Sequence, residues 1–164
     1  MDKCYTPPEA TRLIVPYLKS AGIKRIWEPA AGSGLMADTL RSEGFEVYES
    51  DIETGSGTDF LTYNPPFIYD AVVTNPPFAI DYKFVERAMK LGKPWAMLMK
   101  DNRSSVGRFR DALWTRLEDG TQVPPPELAR IIPSSRISFK MPKQGWFTTD
   151  KNGRLINNAA QFAT

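Results

Sequence analysis

The tetrapeptide Asn-Pro-Pro-Phe occurs twice in this chain, at residues 64–67 and at residues 75–78. The side-chain oxygen of its asparagine and the carbonyl oxygen of its first proline can accept both hydrogens of an exocyclic aromatic amine. Proline fixes φ, so the two acceptors are held with little conformational entropy left to lose. Such acceptors draw the nitrogen toward a tetrahedral shape and aim its lone pair at an electrophile. The tetrapeptide is therefore a candidate site for chemistry on an amine.

A glycine-rich segment at residues 28–34, Glu-Pro-Ala-Ala-Gly-Ser-Gly, is the second candidate. A strand followed by a glycine turn and a helix start brings backbone N–H groups close to a ligand. Gly32 to Ala37 fits the pattern G-x-G-x-x-A, and Asp51 follows at the end of the next predicted strand. An acid at that position can accept both ribose hydroxyls of an adenosine-containing cofactor. The pattern alone leaves NAD and S-adenosylmethionine open, and a tight turn that binds nothing is the alternative.

Composition limits the chemistry that these motifs can carry out. The 164 residues include no histidine and one cysteine. The lack of histidine excludes histidine-based triads and the usual zinc sites, and we predict no metal site. No apolar run approaches the ~18 residues of a membrane span, and no signal-peptide pattern is present, so we expect no membrane partner. The length predicts a single domain over residues 1–164.

Charge is unevenly distributed along the chain. Residues 1–64 carry 6 Lys/Arg and 10 Asp/Glu, whereas residues 65–164 carry 15 Lys/Arg and 9 Asp/Glu. An acidic first part suits a cationic ligand, and a basic second part suits a polyanion. Basic and aromatic residues in the later loops, 101–110 and 141–154, are candidates for phosphate contact and base stacking. Ordinary solvated surfaces would show the same composition.

The elements that must position these residues alternate between strand and helix. Predicted strands cover residues 23–29, 45–52, 59–63, 69–75 and 94–100, with one or two more within 128–140. Predicted helices cover residues 35–44, 79–92 and 104–120. This alternation predicts an α/β fold with a parallel, helix-covered sheet.

In this order, the motifs resemble those of the class I S-adenosylmethionine-dependent methyltransferases, specifically those that methylate adenine N6 in DNA. The resemblance covers roughly residues 4–140. Residues 4–18 match the family's N-terminal cofactor motif, residues 28–34 its glycine loop and residues 49–52 its ribose motif. Residues 59–61 match the adenine-binding segment, and residues 72–78 match the catalytic motif.

The resemblance implies a Rossmann-like fold with a mostly parallel seven-stranded sheet, helices on both faces and the cofactor over the switch point between strands one and four. It implies S-adenosyl-L-methionine as cofactor, with an extruded base stacked on Phe78. The implied catalytic residues are Asn75, Pro76, Pro77 and Phe78. The implied cofactor-binding residues are Tyr5, Thr6, Glu28, Pro29, Ala30, Gly32, Gly34, Asp51, Ile52, Asp59, Phe60 and Asn75.

Motif order selects between the two copies of the tetrapeptide. If Asn64 were catalytic, residues 59–63 would have to serve as the fourth strand, and no segment would be left for the third strand and its adenine acid. If Asn75 is catalytic, Asp59 and Phe60 supply that acid and aromatic. We therefore assign catalysis to Asn75 and predict that residues 64–67 form a connecting loop with a stiff Pro-Pro turn.

The implied partner is DNA with an adenine target, and the implied location is the cytoplasm of a bacterial or phage-infected cell. By the resemblance, we expect no separate target-recognition domain and a loose sequence preference. The sequence stops at residues 159–164, where the family usually has one more apolar strand, so we expect that strand to be short or missing, or the sequence to be a fragment. The oligomeric state is left open by the sequence.

Three alternatives stay open from the sequence. The first is the same chemistry on adenine in RNA, which is less favoured, or on a protein glutamine, whose enzymes carry NPPY. The second is a nicotinamide-dependent oxidoreductase, in which only Tyr or Lys could donate a proton. The third is a cofactor-binding subunit without turnover in a heteromeric methyltransferase.

Overall fold

The computed structural model describes residues 5–54, 57–99, 107, 111, 113–123, 128, 131–134, 137, 147–149 and 155–157. Its helices are α1 (Pro8–Arg12), α2 (Val15–Ser20), α3 (Leu35–Ser42) and α4 (Asp81–Leu91). Its strands are β1 (Arg25–Glu28), β2 (Glu46–Glu49), β3 (Ala71–Thr74), β4 (Trp95–Met97), β5 (Thr115–Arg116), β6 (Gln122–Val123), β7 (Phe147–Thr149) and β8 (Leu155–Asn157). None of the helices within these ranges is both long and apolar enough to cross a membrane.

The main sheet has four parallel strands in the order β2-β1-β3-β4. The chain leaves β1 toward β2 on one side and then crosses back to β3 on the other side. Because all four strands are parallel, their carboxyl ends meet at one edge of the sheet. The crevice between the ends of β1 and β3 is therefore a topological switch point, where α/β sheets bind ligands.

Side chains alternate between the two faces of this sheet, and both faces are covered. The face with Ile26, Val47 and Val73 packs against α2 and α3, through Val15, Leu18, Met36, Ala37 and Leu40. The opposite face packs Trp27 and Val72 against α4 and the loop before β3, through Phe84, Ala88, Phe60 and Tyr69. Burial on both faces explains why all four residues of β3 are buried.

The structure confirms the α/β class, four predicted strands and two predicted helices. The predicted strands at 23–29, 45–52, 69–75 and 94–100 are β1 to β4, and the helices at 35–44 and 79–92 are α3 and α4. The parallel sheet with helices on both faces is compatible with a Rossmann-like fold. Within the described residues the main sheet contains four strands of the expected seven.

The strand predicted at residues 59–63 is wrong. The backbone carbonyl of Asp59 accepts hydrogen bonds from the N–H groups of Thr62 (3.1 Å) and Tyr63 (2.9 Å), which closes a turn. The Asp59 carboxylate also accepts the N–H of Leu61 at 2.9 Å. An aspartate that bonds its own backbone two residues on favours a turn over a strand.

The helix predicted at residues 104–120 is wrong in its last part, although Leu113 and two earlier residues are helical. Strands β5 and β6 pair antiparallel there and form a hairpin. Asp119 accepts the N–H of Thr121 at 2.8 Å, and Gly120 takes φ +86°. Asp-Gly is a hairpin signal because glycine supplies positive φ without steric cost.

Other predictions for the second half fall largely outside the described residues. In the range 128–140, no described residue belongs to a strand. Most of the two loops predicted to contact phosphates, 101–110 and 141–154, lies outside the described ranges. Further along, β7 and β8 pair antiparallel.

One carboxylate fastens the amino-terminal edge of the main sheet, opposite the switch point. Asp70, just before β3, accepts the backbone N–H groups of Lys24 (3.1 Å) and Arg25 (2.8 Å) at the start of β1. Its other oxygen accepts the Arg25 guanidinium at 2.8 Å. The hydrogen bond from the Arg25 side chain is the main reason why the pKa of Asp70 is lowered to about 2.

We expect Asp70→Asn to lower the melting temperature at pH 7 by several degrees, because an amide gives these donors a weaker, uncharged acceptor. Because of this lowered pKa, the ionised Asp70 carboxylate stabilises the fold above the unfolded-state pKa of about 3.9. This stabilisation is lost as pH falls through the folded-state pKa of about 2. The two melting temperatures should therefore converge between about pH 4 and pH 2. Asp38→Asn, in an exposed pair with Arg41 on α3, is the control and should change little. A difference that persists undiminished at pH 2 would contradict this account.

Candidate functional site

A cavity of about 230 Å³ opens at the carboxyl edge of the sheet, at the switch point. Segments from the N-terminus, the glycine loop, the loop after β2 and the second tetrapeptide line it. Of the residues predicted to bind cofactor or catalyse, all except Gly34 line this one cavity: Tyr5, Thr6, Glu28, Pro29, Ala30, Gly32, Asp51, Ile52, Asp59, Phe60, Asn75, Pro76, Pro77 and Phe78. The structure thus brings together motifs that are spread over more than 70 residues of sequence.

Gly34 shapes the glycine loop without lining the cavity. It takes φ +79° at the N-cap of α3, a left-handed conformation that glycine adopts without strain. Its N–H donates to the carbonyl of Ala31 at 2.8 Å, which tightens the turn. Three residues on, Ala37 is fully buried in the core against the sheet. The G-x-G-x-x-A pattern therefore has a structural explanation in the turn and in close helix packing.

Asp51 ties the glycine loop to the end of β2. One carboxylate oxygen accepts the N–H of Gly32 at 2.9 Å, and the other accepts the N–H groups of Glu53 (2.8 Å) and Thr54 (3.2 Å). If Asp51 also accepts ribose hydroxyls, as the sequence predicts, the same carboxylate contacts the ligand and holds both the glycine loop and the loop after β2. Its substitution would disturb the cavity wall as well as any ligand contact.

The first tetrapeptide lies in the loop between β2 and β3, as predicted, and none of its residues lines the cavity. Asn64 accepts a hydrogen bond from the Arg87 guanidinium of α4 at 2.7 Å. Phe67 stacks on Tyr48 with ring centroids 4.4 Å apart. The first copy therefore anchors its loop to α4 and to β2.

Arg87 also holds the neighbouring part of the cavity wall. Its guanidinium donates to the carbonyls of Tyr63 (2.9 Å) and Phe60 (3.3 Å). Phe60 is 2% exposed and meets Trp27 edge-on at 5.1 Å, so only part of its ring is available to a ligand. Sequence reasoning missed Arg87 because an isolated arginine on an amphipathic helix belongs to no motif.

The second tetrapeptide follows β3 directly and presents its asparagine to the cavity. The Asn75 side-chain N–H group donates to the hydroxyl oxygen of Thr6 at 3.0 Å. Its Oδ1 is buried and has no hydrogen-bond partner among the described residues. An unsatisfied buried acceptor costs ~1–3 kcal/mol, so a donor from a ligand would recover that free energy. Pro76 beside it is fully buried, which fixes the backbone on which the amide stands.

Glu28 lies beneath this motif, at the end of β1. It is 1% exposed, and its Oε1 accepts the hydroxyl of Thr74 at 3.1 Å. The backbone of Asn75 also donates to this carboxyl group, whereas Oε2 has no partner among the described residues. Burial is the main cause that raises the pKa of Glu28 to about 8, and the negative charge of nearby acids adds to it. Near pH 7 the side chain therefore keeps its proton.

The charged residues in the cavity wall indicate the kind of ligand that it can hold. Four acids line it, Glu28, Asp51, Glu53 and Asp59, and no Lys or Arg occurs among the described lining residues. A cationic ligand would therefore meet acidic side chains in this wall.

Comparison of the chain with protein-family models and with curated proteins finds no match. Functional inference therefore depends on the order of the motifs and on the geometry of the cavity.

The buried proton of Glu28 gives a testable pH dependence. Between the unfolded-state pKa of about 4.3 and the folded-state value of about 8, only the folded chain keeps the proton, so rising pH lowers its stability. Glu28→Gln cannot titrate. We expect its free energy of unfolding to rise relative to the wild type by up to ~1.4 kcal/mol per pH unit. Denaturant unfolding at pH 5 and pH 7.5 measures this difference, and an unchanged difference would show that Glu28 is ionised when folded.

Proposed function

We propose that this chain transfers a methyl group from S-adenosylmethionine to the exocyclic N6 amine of adenine in DNA. The observation that carries the proposal is the state of Asn75. Its amide N–H group is engaged by Thr6, and its oxygen is buried and has no partner among the described residues, in a residue that lines the cavity. An amide in this state can accept a hydrogen from an amine that enters the cavity.

The residues of the cavity fit the proposed cofactor. S-adenosylmethionine supplies a methyl group activated on a sulfonium centre and also carries an ammonium group, so it suits a wall lined by acids. Oε2 of Glu28 has no partner among the described residues, and a cationic group beside it would favour loss of the carboxyl proton. At Gly32 no atom lies within 4 Å of the position that a Cβ would take, which leaves room beside the loop backbone. Asp51 and Asp59 flank the same space as candidates for the ribose and adenine contacts.

The protein's part in the reaction is to orient and polarise the amine. Asn75 Oδ1 accepts one hydrogen of N6, and the backbone carbonyl of Pro76 accepts the other. The nitrogen would become more tetrahedral, with its lone pair aimed at the methyl group that S-adenosylmethionine would supply, and N6 would release one proton to water. Positioning and electrostatic stabilisation of this kind need neither a histidine nor a covalent intermediate. Phe78 also lines the cavity, although it is 9% exposed, and it is the candidate to stack on the flipped base.

The choice of DNA depends on charge and on the residue that ends the motif. The basic balance of residues 65–164 suits a polyanion, and Phe78 stands where the glutamine-modifying enzymes carry tyrosine. Adenine in RNA and a protein glutamine are the nearest other substrates for the same chemistry. A nicotinamide-dependent enzyme would need a proton donor, and without histidine only Tyr or Lys could serve.

Cofactor binding is the first test of the proposal. Calorimetry should detect binding of S-adenosylmethionine or its demethylated product and no binding of NAD. Asp51→Ala should weaken binding by ~1–3 kcal/mol, because a charged acceptor and the tie to Gly32 are both lost. Asp38→Ala, at a 72% exposed side chain on α3, is the control and should leave affinity unchanged. Tight binding of NAD would refute the proposal.

The two asparagines provide a matched test of catalysis. Asn75→Ala should lower the turnover of label transfer to DNA by roughly 10²–10³, as expected for the loss of one transition-state hydrogen bond, with cofactor affinity nearly unchanged. Asn64→Ala removes the contact with Arg87 outside the cavity and should leave turnover within about threefold. The opposite pattern in folded variants would assign the chemistry to the first copy.

A further inference from the structure

The contact between Thr6 and Asn75 joins two segments that are 69 residues apart in the chain. Thr6 is 6% exposed, and the adjacent Pro7 and Pro76 are both fully buried. The carbonyl of Pro7 accepts the first backbone hydrogen bonds of α1, from Ala10 and Thr11. Both partners of the contact therefore stand on backbone that the core and a helix start hold in place.

The backbone of the motif does not by itself decide which end of the Asn75 amide faces the cavity. Proline fixes the main chain, but rotation about the last side-chain bond of asparagine is broad and roughly two-fold. In one orientation the end of the amide that Thr6 does not hold is an acceptor, and in the other it is the NH₂ donor. A donor facing an amine substrate would oppose its hydrogens. The orientation of the amide is therefore a requirement for the chemistry.

From these contacts we infer that Thr6 is a positioning residue that holds the Asn75 amide with Oδ1 toward the substrate amine. This inference rests on the proposed function. The Thr6 oxygen accepts the Asn75 N–H group at 3.0 Å, and in this orientation Oδ1 is the end of the amide left without a partner among the described residues. The sequence resemblance implies instead that Thr6 contacts the cofactor, and the two roles predict different kinetics.

The first test compares Thr6→Val with Thr6→Ser. Valine keeps the shape and removes the acceptor, so kcat at saturating cofactor should fall about ten- to hundredfold while the cofactor Kd changes less than about threefold. Serine restores the hydroxyl and should recover kcat to within about threefold of the wild type. A weakened cofactor Kd with unchanged kcat would make Thr6 a cofactor contact and overturn the inference. If Thr6→Val does not fold, Thr6→Ala removes the same acceptor without a change to a branched apolar side chain.

A double-mutant cycle separates positioning from a general structural effect. If Thr6 acts through Asn75, adding Thr6→Val to Asn75→Ala should not lower the residual single-turnover rate further. Independent losses that multiply would contradict the inference.

A spectroscopic test reports the contact independently of turnover. In an 18.5 kDa protein the side-chain amide signals of Asn75 can be assigned by their loss in Asn75→Ala. One amide proton should exchange slowly in the wild type and in Thr6→Ser, and rapidly in Thr6→Val. Equal exchange in all three proteins would refute the contact. If the contact is present but the wild type methylates no substrate, the proposed function fails, and the positioning role fails with it.

Discussion

Parallel pairing of β1 with both β2 and β3 is the constraint on which the rest of the structure depends. The pairing aligns Ile26 and Trp27 with Val47 and Tyr48 on one side and with Ala71 and Val72 on the other. This register brings the residues after all three strands to one edge of the sheet. Asp70 and Arg25 fasten the opposite edge. A one-residue slip of β3 would turn its core side chains to the opposite face of the sheet and would displace the second tetrapeptide, which follows β3.

The site at the carboxyl edge of the sheet contains two buried polar side chains, each with one atom that has no partner among the described residues. Glu28 is 1% exposed and keeps its proton; its Oε1 accepts the hydroxyl of Thr74, and its Oε2 has no partner among the described residues. Asn75 is held by one end of its amide and leaves the other end unpartnered among the described residues. Both arrangements cost stability in the absence of a ligand. A ligand that supplies a hydrogen-bonding partner to each would recover it, so stability and binding are coupled in this cavity.

Hydrophobic periodicity and motif order were sufficient to predict β1 to β4, α3, α4 and the meeting of the site residues in one cavity. This succeeds because loops that follow neighbouring parallel strands must share an edge. The turn at Asp59 was missed because one side-chain hydrogen bond to Leu61 outweighs the strand propensity of its apolar neighbours. The hairpin at Asp119 and Gly120 was missed because a helical pattern was extended across an Asp-Gly turn signal. Contacts between distant segments, such as Thr6 with Asn75 and Arg87 with Asn64, have no local signature in the sequence.

The two tetrapeptides show how position determines what a motif can do. The side-chain oxygen of Asn64 accepts a hydrogen bond from Arg87, whereas that of Asn75 has no partner among the described residues. The most direct test of the methyl-transfer account is the identity of the product. The protein is incubated with S-adenosylmethionine carrying a deuterated methyl group and with DNA, RNA and protein substrates, and the digests are analysed by mass spectrometry. The account predicts labelled N6-methyladenine in DNA, and label only in RNA or protein glutamine, or no transfer at all, would contradict it.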